Sequence, residues 1–155
     1  KERGIRFLLP VDNVVATPVD SGKKDKKGRP KMDLTSPRVN VGDNIPATEE
    51  GVDIGPATVK LYAEILAGAR TVLWNGPMGI FEDPRFAEGT FAVAKAVAAA
   101  TQKGAKSIIG GGDSVKAINK ARLGDQVTFM STGGGASLEF LEGRELPGVA
   151  ALQDR

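Results

Sequence analysis

The sequence contains neither cysteine nor histidine. The first absence excludes a disulfide framework, and the two together exclude a Cys–His zinc site. No Ser–His–Asp or Cys–His nucleophile can be assembled from these residues. Chemistry here must rest on backbone N–H groups, carboxylates, lysines, arginines or an imported ion. An excess of one charge is lacking too. The 21 Lys and Arg against 19 Asp and Glu leave a formal charge of +2, too small to point to nucleic acid. No apolar run approaches the length of a membrane span, and no signal-peptide pattern opens the sequence. These absences predict a cytoplasmic protein with no nucleic-acid or membrane partner. What is present is 155 residues, 41% hydrophobic and 26% charged, about one globular domain's worth. The sequence opens at Lys1 and goes straight into a strand-like run, which predicts a piece of something longer.

Along the chain, "GIRFLLPV" reads as a buried strand centred on Ile5, Phe7, Leu8 and Leu9, and "NVVATPV" as a second short strand closed by Pro18. Residues 20–38, "DSGKKDKKGRPKMDLTSPR", are rich in Lys, Gly and Pro. A solvated surface loop is the expectation there, with a basic patch for an acidic partner as the alternative. "VNVGDNIP" is ambiguous. "DIGPATVKLYAEILAGA" carries Pro56 for a first helical turn and Val59, Tyr62, Ala63 and Leu66 at helical spacing, with Gly68 as a stop. "RTVLWNG" follows as a strand. A helix over "DPRFAEGTFAVAKAVAAAT" is predicted with Asp83 as N-cap, Pro84 at its first position and Ala87, Phe91, Ala94 and Ala98 on one face. Then come a strand at "AKSII", a short helix at "DSVKAINKA", a strand at "QVTFM" and a helix at "ASLEFLEG".

This alternation predicts an α/β fold: a Rossmann-like three-layer α/β/α domain with a mainly parallel sheet, incomplete at its N-terminal side. Ligands of such sheets sit at the carboxyl ends of strands, where loops enter helices. Three loops fall there: "WNGPMGIFE", "GGGDS" and "STGGGAS". Consecutive glycines entering a helix expose bare N–H groups beside the helix dipole, which suits phosphate. Close strand–helix packing also demands glycine. Two triplets at equivalent strand ends favour phosphate. The dinucleotide fingerprint fails, because Val115 and Leu138 stand where its third glycine belongs, and Ala105 breaks the Walker pattern. Asp113 reads either as an N-cap or as a carboxylate for Mg²⁺. Glu82 reads as a ribose acceptor or a solvated acid, and Trp74 and Phe81 as adenine neighbours or core.

Taken together, "LWNGPMGIFE", "IIGGGDSVKA" and "STGGGASLEFLEG...LPGV", with "LPVDNVVA" and "DIGPAT", resemble the phosphoglycerate kinase family. The resemblance covers nearly the whole sequence, in order. It implies transfer of a phosphoryl group between 1,3-bisphosphoglycerate and ADP, giving ATP and 3-phosphoglycerate, with Mg²⁺ as cofactor, in a monomer of two Rossmann-like domains that close about a hinge. Residues 1–155 then correspond to part of the C-terminal, nucleotide-binding domain, inactive without the rest, with phosphoglycerate bound by the N-terminal domain. By motif, Gly76, Pro77, Ile80 and Glu82 border the nucleotide, with Glu82 on the ribose. Gly111, Gly112, Asp113 and Ser114 meet the phosphates, with Asp113 facing Mg²⁺; many relatives carry Thr where Ser114 stands. Gly112 and Gly135 are the implied catalytic donors to the moving phosphoryl, with Gly133 and Gly134 beside them. The alternatives are an NAD-binding Rossmann-type oxidoreductase, which the failed fingerprint disfavours, and a non-catalytic nucleotide-binding fragment.

Overall fold

The computed structural model describes residues 4–24, 27–42 and 44–152. Among these residues, six strands and five α-helices occur in the order β1 (Asp12–Lys24), β2 (Pro30–Val41), β3 (Glu50–Ile54), α1 (Pro56–Ala67), β4 (Thr71–Asn75), α2 (Glu88–Gln102), β5 (Lys106–Gly110), α3 (Gly112–Lys120), β6 (Phe129–Ser131), α4 (Gly134–Leu141) and α5 (Pro147–Ala150). They fall into two compact units. The first comprises the described residues up to Glu64 together with Met78–Val93, and the second Ile65–Pro77 together with the described residues from Ala94 onward.

The second unit holds a parallel sheet of order β4-β5-β6. Helices follow its strands, as the alternation predicts. Along β4 exposure alternates, with Val72 and Trp74 buried and Leu73 exposed. Ile109 of β5 and Ala94, Val97 and Ala98 of α2 are buried to 2% exposure or less. On the other face Leu73, Ile108 and Phe129 face Phe140 and Leu141 of α4 across an apolar groove of about 400 Å³. A part-buried hydroxyl chain also ties helix to strand. Thr101 donates to Ser107 Oγ at 2.7 Å, and Ser107 and Thr128 exchange backbone-to-side-chain bonds at 3.1 and 3.0 Å.

The first unit contains a separate antiparallel sheet of order β2-β1-β3. Here the expectation of a solvated loop at residues 20–38 gives way, among the described residues, to the paired strands of a long hairpin. Thr17 pairs with Thr35, Asp20 with Met32 and Lys24 with Pro30. The distal hairpin is wet on both faces, so no hydrophobic alternation marks it, while its backbone ladder forms regardless of side-chain charge. Irregularities absorb its turn-forming residues: Ser36, at a φ of 52°, and Pro37 lie in the register shift opposite Ala16, and Ser21 and Gly22 lie in a second. Nearer its base, Val15 and Ala16 are fully buried, and Ala16 packs with Val52 and Phe86.

Two further expectations are corrected. Residues 4–10 form no strand, and Ile5, Phe7 and Leu9 are 73%, 81% and 61% exposed. Their alternation suits a strand face, but no strand among the described residues pairs with them, and a lone strand leaves its amides unsatisfied. The helix expected over residues 83–101 is split. Asp83 does cap a start, accepting from Arg85 N, but the turn it caps is a 3-10 turn at Pro84–Phe86, and α2 begins anew at Glu88. Arg85 holds that turn against the hairpin: it donates to Leu34 O at 2.8 Å, pairs with Asp83 and lies 4.9 Å from the Phe86 ring centre.

Candidate functional site

Because β4, β5 and β6 are parallel, their carboxyl ends share one edge of the sheet. The loops leaving that edge carry Gly76 and Pro77, then Gly111–Ser114, then Gly133–Gly135. The second unit therefore brings nine of the eleven sequence-predicted site residues to one edge. The other two, Ile80 and Glu82, belong to the first unit, where both are exposed.

The two glycine triplets do not act uniformly. Gly111 precedes α3 at a φ of 90°, a region that favours glycine, and its N–H donates to Ser131 O at 2.8 Å. Gly134 opens α4 against it. A Cβ on Gly134 would lie 2.7 Å from Gly111 Cα and 3.1 Å from Gly111 N, contacts that backbone cannot relieve. One residue of each triplet is thus glycine so that two helix starts can meet. Gly112 and Gly135 differ. Neither has a positive φ, and a Cβ on either would meet nothing within 4 Å. Nothing inside the protein requires glycine there. Both sit in the first turn of a helix, where N–H groups have no intrahelical acceptor. Two such turns side by side present bare donors and two positive dipole ends to the same space.

Asn75, the last residue of β4, fastens this arrangement. Its Nδ2 donates to Gly134 O at 3.2 Å, and its Oδ1 lies 3.1 Å from where a Cβ on Gly111 would stand. Sequence reasoning passed over Asn75, which read only as the end of a strand; the "NG" pair was the available signal. Ser114 is 1% exposed, and its hydroxyl accepts from Gly76 N at 2.7 Å. It ties the loop after β4, which turns at Gly76 with a φ of 100°, to α3. Asp113 instead points outward. Its side chain is 62% exposed and its partner is Lys116, one turn along, at 2.9 Å. The N-cap position belongs to Gly111 and no side chain caps α3, so capping does not account for Asp113. Trp74 and Phe81 are 5% and 3% exposed and belong to the cores of their respective units.

The family model of phosphoglycerate kinase matches residues 1–144. The chain belongs to the phosphoglycerate kinase family. Among curated relatives, the phosphoglycerate kinase of Koribacter versatilis is 52% identical over 154 residues, and that of Chlorobaculum tepidum 56% over 154. Both comparisons cover 99% of this chain but only 35% and 36% of the relative. Among solved structures, phosphoglycerate kinase from Coxiella burnetii matches with a TM-score of 0.74 at 41% identity, covering 96% of this chain and 34% of that one. The enzyme from Pyrococcus horikoshii OT3 matches at 0.66 and 38%. The chain thus spans about a third of the length of the phosphoglycerate kinases it matches. No helix among its described residues is long and apolar enough to cross a membrane.

Proposed function

We propose that residues 1–155 form most of the nucleotide-binding half of a phosphoglycerate kinase, which moves a phosphoryl group between 1,3-bisphosphoglycerate and ADP. The observation that carries this reading is the division of labour within the glycine triplets. Gly111 and Gly134 are accounted for by their mutual contact, whereas Gly112 and Gly135 face open space beside two helix starts, room for a phosphate. A transferring phosphoryl spreads charge over three oxygens, and the protein's task is chiefly to position and neutralise it. Amides at two adjoining helix starts do both, and need neither His nor Cys.

Family membership implies Mg²⁺ with the nucleotide, and the donor set suits it. Among the described residues there is no cluster of three or more His, Cys, Asp or Glu. One exposed carboxylate, Asp113, stands at the edge that carries the bare amides. Mg²⁺ is commonly held by one or two carboxylates with phosphate oxygens and water completing the shell. Asp113 would hold the ion, and the ion would neutralise phosphate charge when bound. Ser114 keeps Gly76 against α3, and Asn75 keeps α4 against α3. Ile80 and Glu82 border the base and sugar, with Glu82 accepting from the ribose.

Calorimetric titration with ADP and Mg²⁺ tests the reading. The chain should bind Mg-ADP, and Asp113→Ala should weaken that binding about tenfold, an effect that vanishes when Mg²⁺ is chelated. Affinity indifferent to Mg²⁺ in both proteins would remove the metal role from Asp113. Residues 1–155 alone, given ADP, 1,3-bisphosphoglycerate and Mg²⁺, should produce no ATP above a blank. Appreciable turnover would refute that part.

A further inference from the structure

The loop that carries Ile80 and Glu82 is held by a residue outside the motifs that carry the family resemblance. Thr90, the third residue of α2, is fully buried. Its hydroxyl accepts from Met78 N at 3.0 Å and from Gly79 N at 3.1 Å. The next amide, Ile80 N, donates to Val52 O at 2.9 Å. Three consecutive N–H groups are thereby fixed. Asp53 forms the wall behind them. Its Oδ2 accepts from Gly89 N at 2.6 Å, and a Cβ on Gly79 would lie 2.5 Å from both Asp53 Oδ1 and Val52 O. The result is a loop that buries Phe81 and turns the flanking Ile80 and Glu82 outward.

The chain reversal here is already favoured by Gly76, Pro77 and Gly79. It does not need a buried hydroxyl shared by two amides. That hydroxyl adds a specified backbone path, and therefore a specified direction for the two side chains that follow. We propose that Thr90 is a positioning residue for the nucleotide: it sets Met78 and Gly79 so that Ile80 and Glu82 are presented to the nucleoside. The proposal rests on the nucleotide reading given above. Thr90 itself, with no exposed surface, does not touch the ligand. Removing its hydroxyl strands two part-buried N–H groups. They regain partners only if the loop shifts toward water, and the ligand must then order it on binding.

The test compares Thr90→Val, which keeps the shape and deletes the acceptor, with Thr90→Ser, which keeps the acceptor. Mg-ADP affinity is measured well below each variant's unfolding midpoint, and amide exchange is followed without ligand. Thr90→Val should speed exchange of the Met78 and Gly79 amides about tenfold and weaken Mg-ADP about fivefold, while Thr90→Ser stays within about twofold of the parent in both. A role in stability alone would lower the midpoint of Thr90→Val and leave its ADP affinity intact, which overturns the proposal. So does equal weakening by both variants, or unchanged exchange at the two amides. If the unsubstituted chain does not bind Mg-ADP, the nucleotide reading itself fails and takes this one with it; faster exchange in Thr90→Val would still show that the clip exists.

Discussion

Gly134→Ala should cost the second unit about 2 kcal/mol and weaken Mg-ADP at least about thirtyfold, although it adds only one methyl group. The added carbon would lie 2.7 Å from Gly111 Cα, and Asn75 Nδ2 is 3.4 Å away on another side. Neither Gly111 nor the β4 end bearing Asn75 can yield without moving. Gly111 is pinned by its N–H bond to Ser131 O, and Asn75 by its bond to Gly134 O. The relief available is to part the two helix starts, which separates the donors on Gly112 and Gly135. Gly135→Ala supplies the contrast. Its methyl enters open space at a helix position, so its thermal midpoint should hold or rise slightly. Its loss of Mg-ADP should nonetheless be severe, because the methyl would enter the open space where the proposed site puts the phosphate. Thermal melts and titrations of the two variants separate the roles. Equal tolerance of both substitutions in the titration would remove the glycine loops from the binding site.

This division was not legible in the sequence, where the six glycines of the two triplets look equivalent. The position of the loops was legible. Strand and helix signals at "RTVLWNG", "AKSII" and "QVTFM", and the punctuation at Pro56 and Gly110–Gly112, place the loops at parallel strand ends, as the β4-β5-β6 sheet shows. What the sequence withheld were contacts between distant residues. Asn75 reaches Gly134 across 59 positions and Asp53 reaches Gly89 across 36. Thr90 sits 11 and 12 positions beyond the amides it holds. A local reading sees Thr90 as one polar residue on a helix, with nothing to mark its hydroxyl as buried. The hairpin was missed for a related reason. Composition reports which side chains tolerate water, and β1 and β2 pair through their backbones beyond the point where either face is covered.

The helix starts of the first unit show the same principle with larger consequences for stability. Asp12 Oδ2 accepts from Ala57 N at 2.9 Å, and its Oδ1 accepts from Thr58 N at 2.8 Å and from Thr58 Oγ1 at 2.6 Å. An aspartate 45 residues away thus caps α1. Gly55 must be glycine beside it, since a Cβ there would stand 2.3 Å from Asp12 Cγ. Burial on its own would raise the Asp12 pKa, but the bonds from the Thr58 side chain and from the Ala57 and Thr58 amides outweigh it and hold it below the usual carboxylate value. Ionised Asp12 therefore contributes stability that is fully present above the unfolded pKa of about 3.9 and is lost as pH falls through the lower folded value. Asp53 has the opposite sign. Burial, with a smaller push from Glu88, raises its pKa against the bonds from Gly89 and Ile54. Its contribution is fully present below about pH 3.9 and fades as pH rises through the raised folded value. Asp12→Ala should cost about 3 kcal/mol at neutral pH, because three donors lose a buried, charged acceptor. Urea melts from pH 2 to 7 should show the parent protein losing its advantage over Asp12→Ala below about pH 4. A gap between the two that stays constant down to pH 2 would mean that the carboxylate's charge has no part in capping the helix.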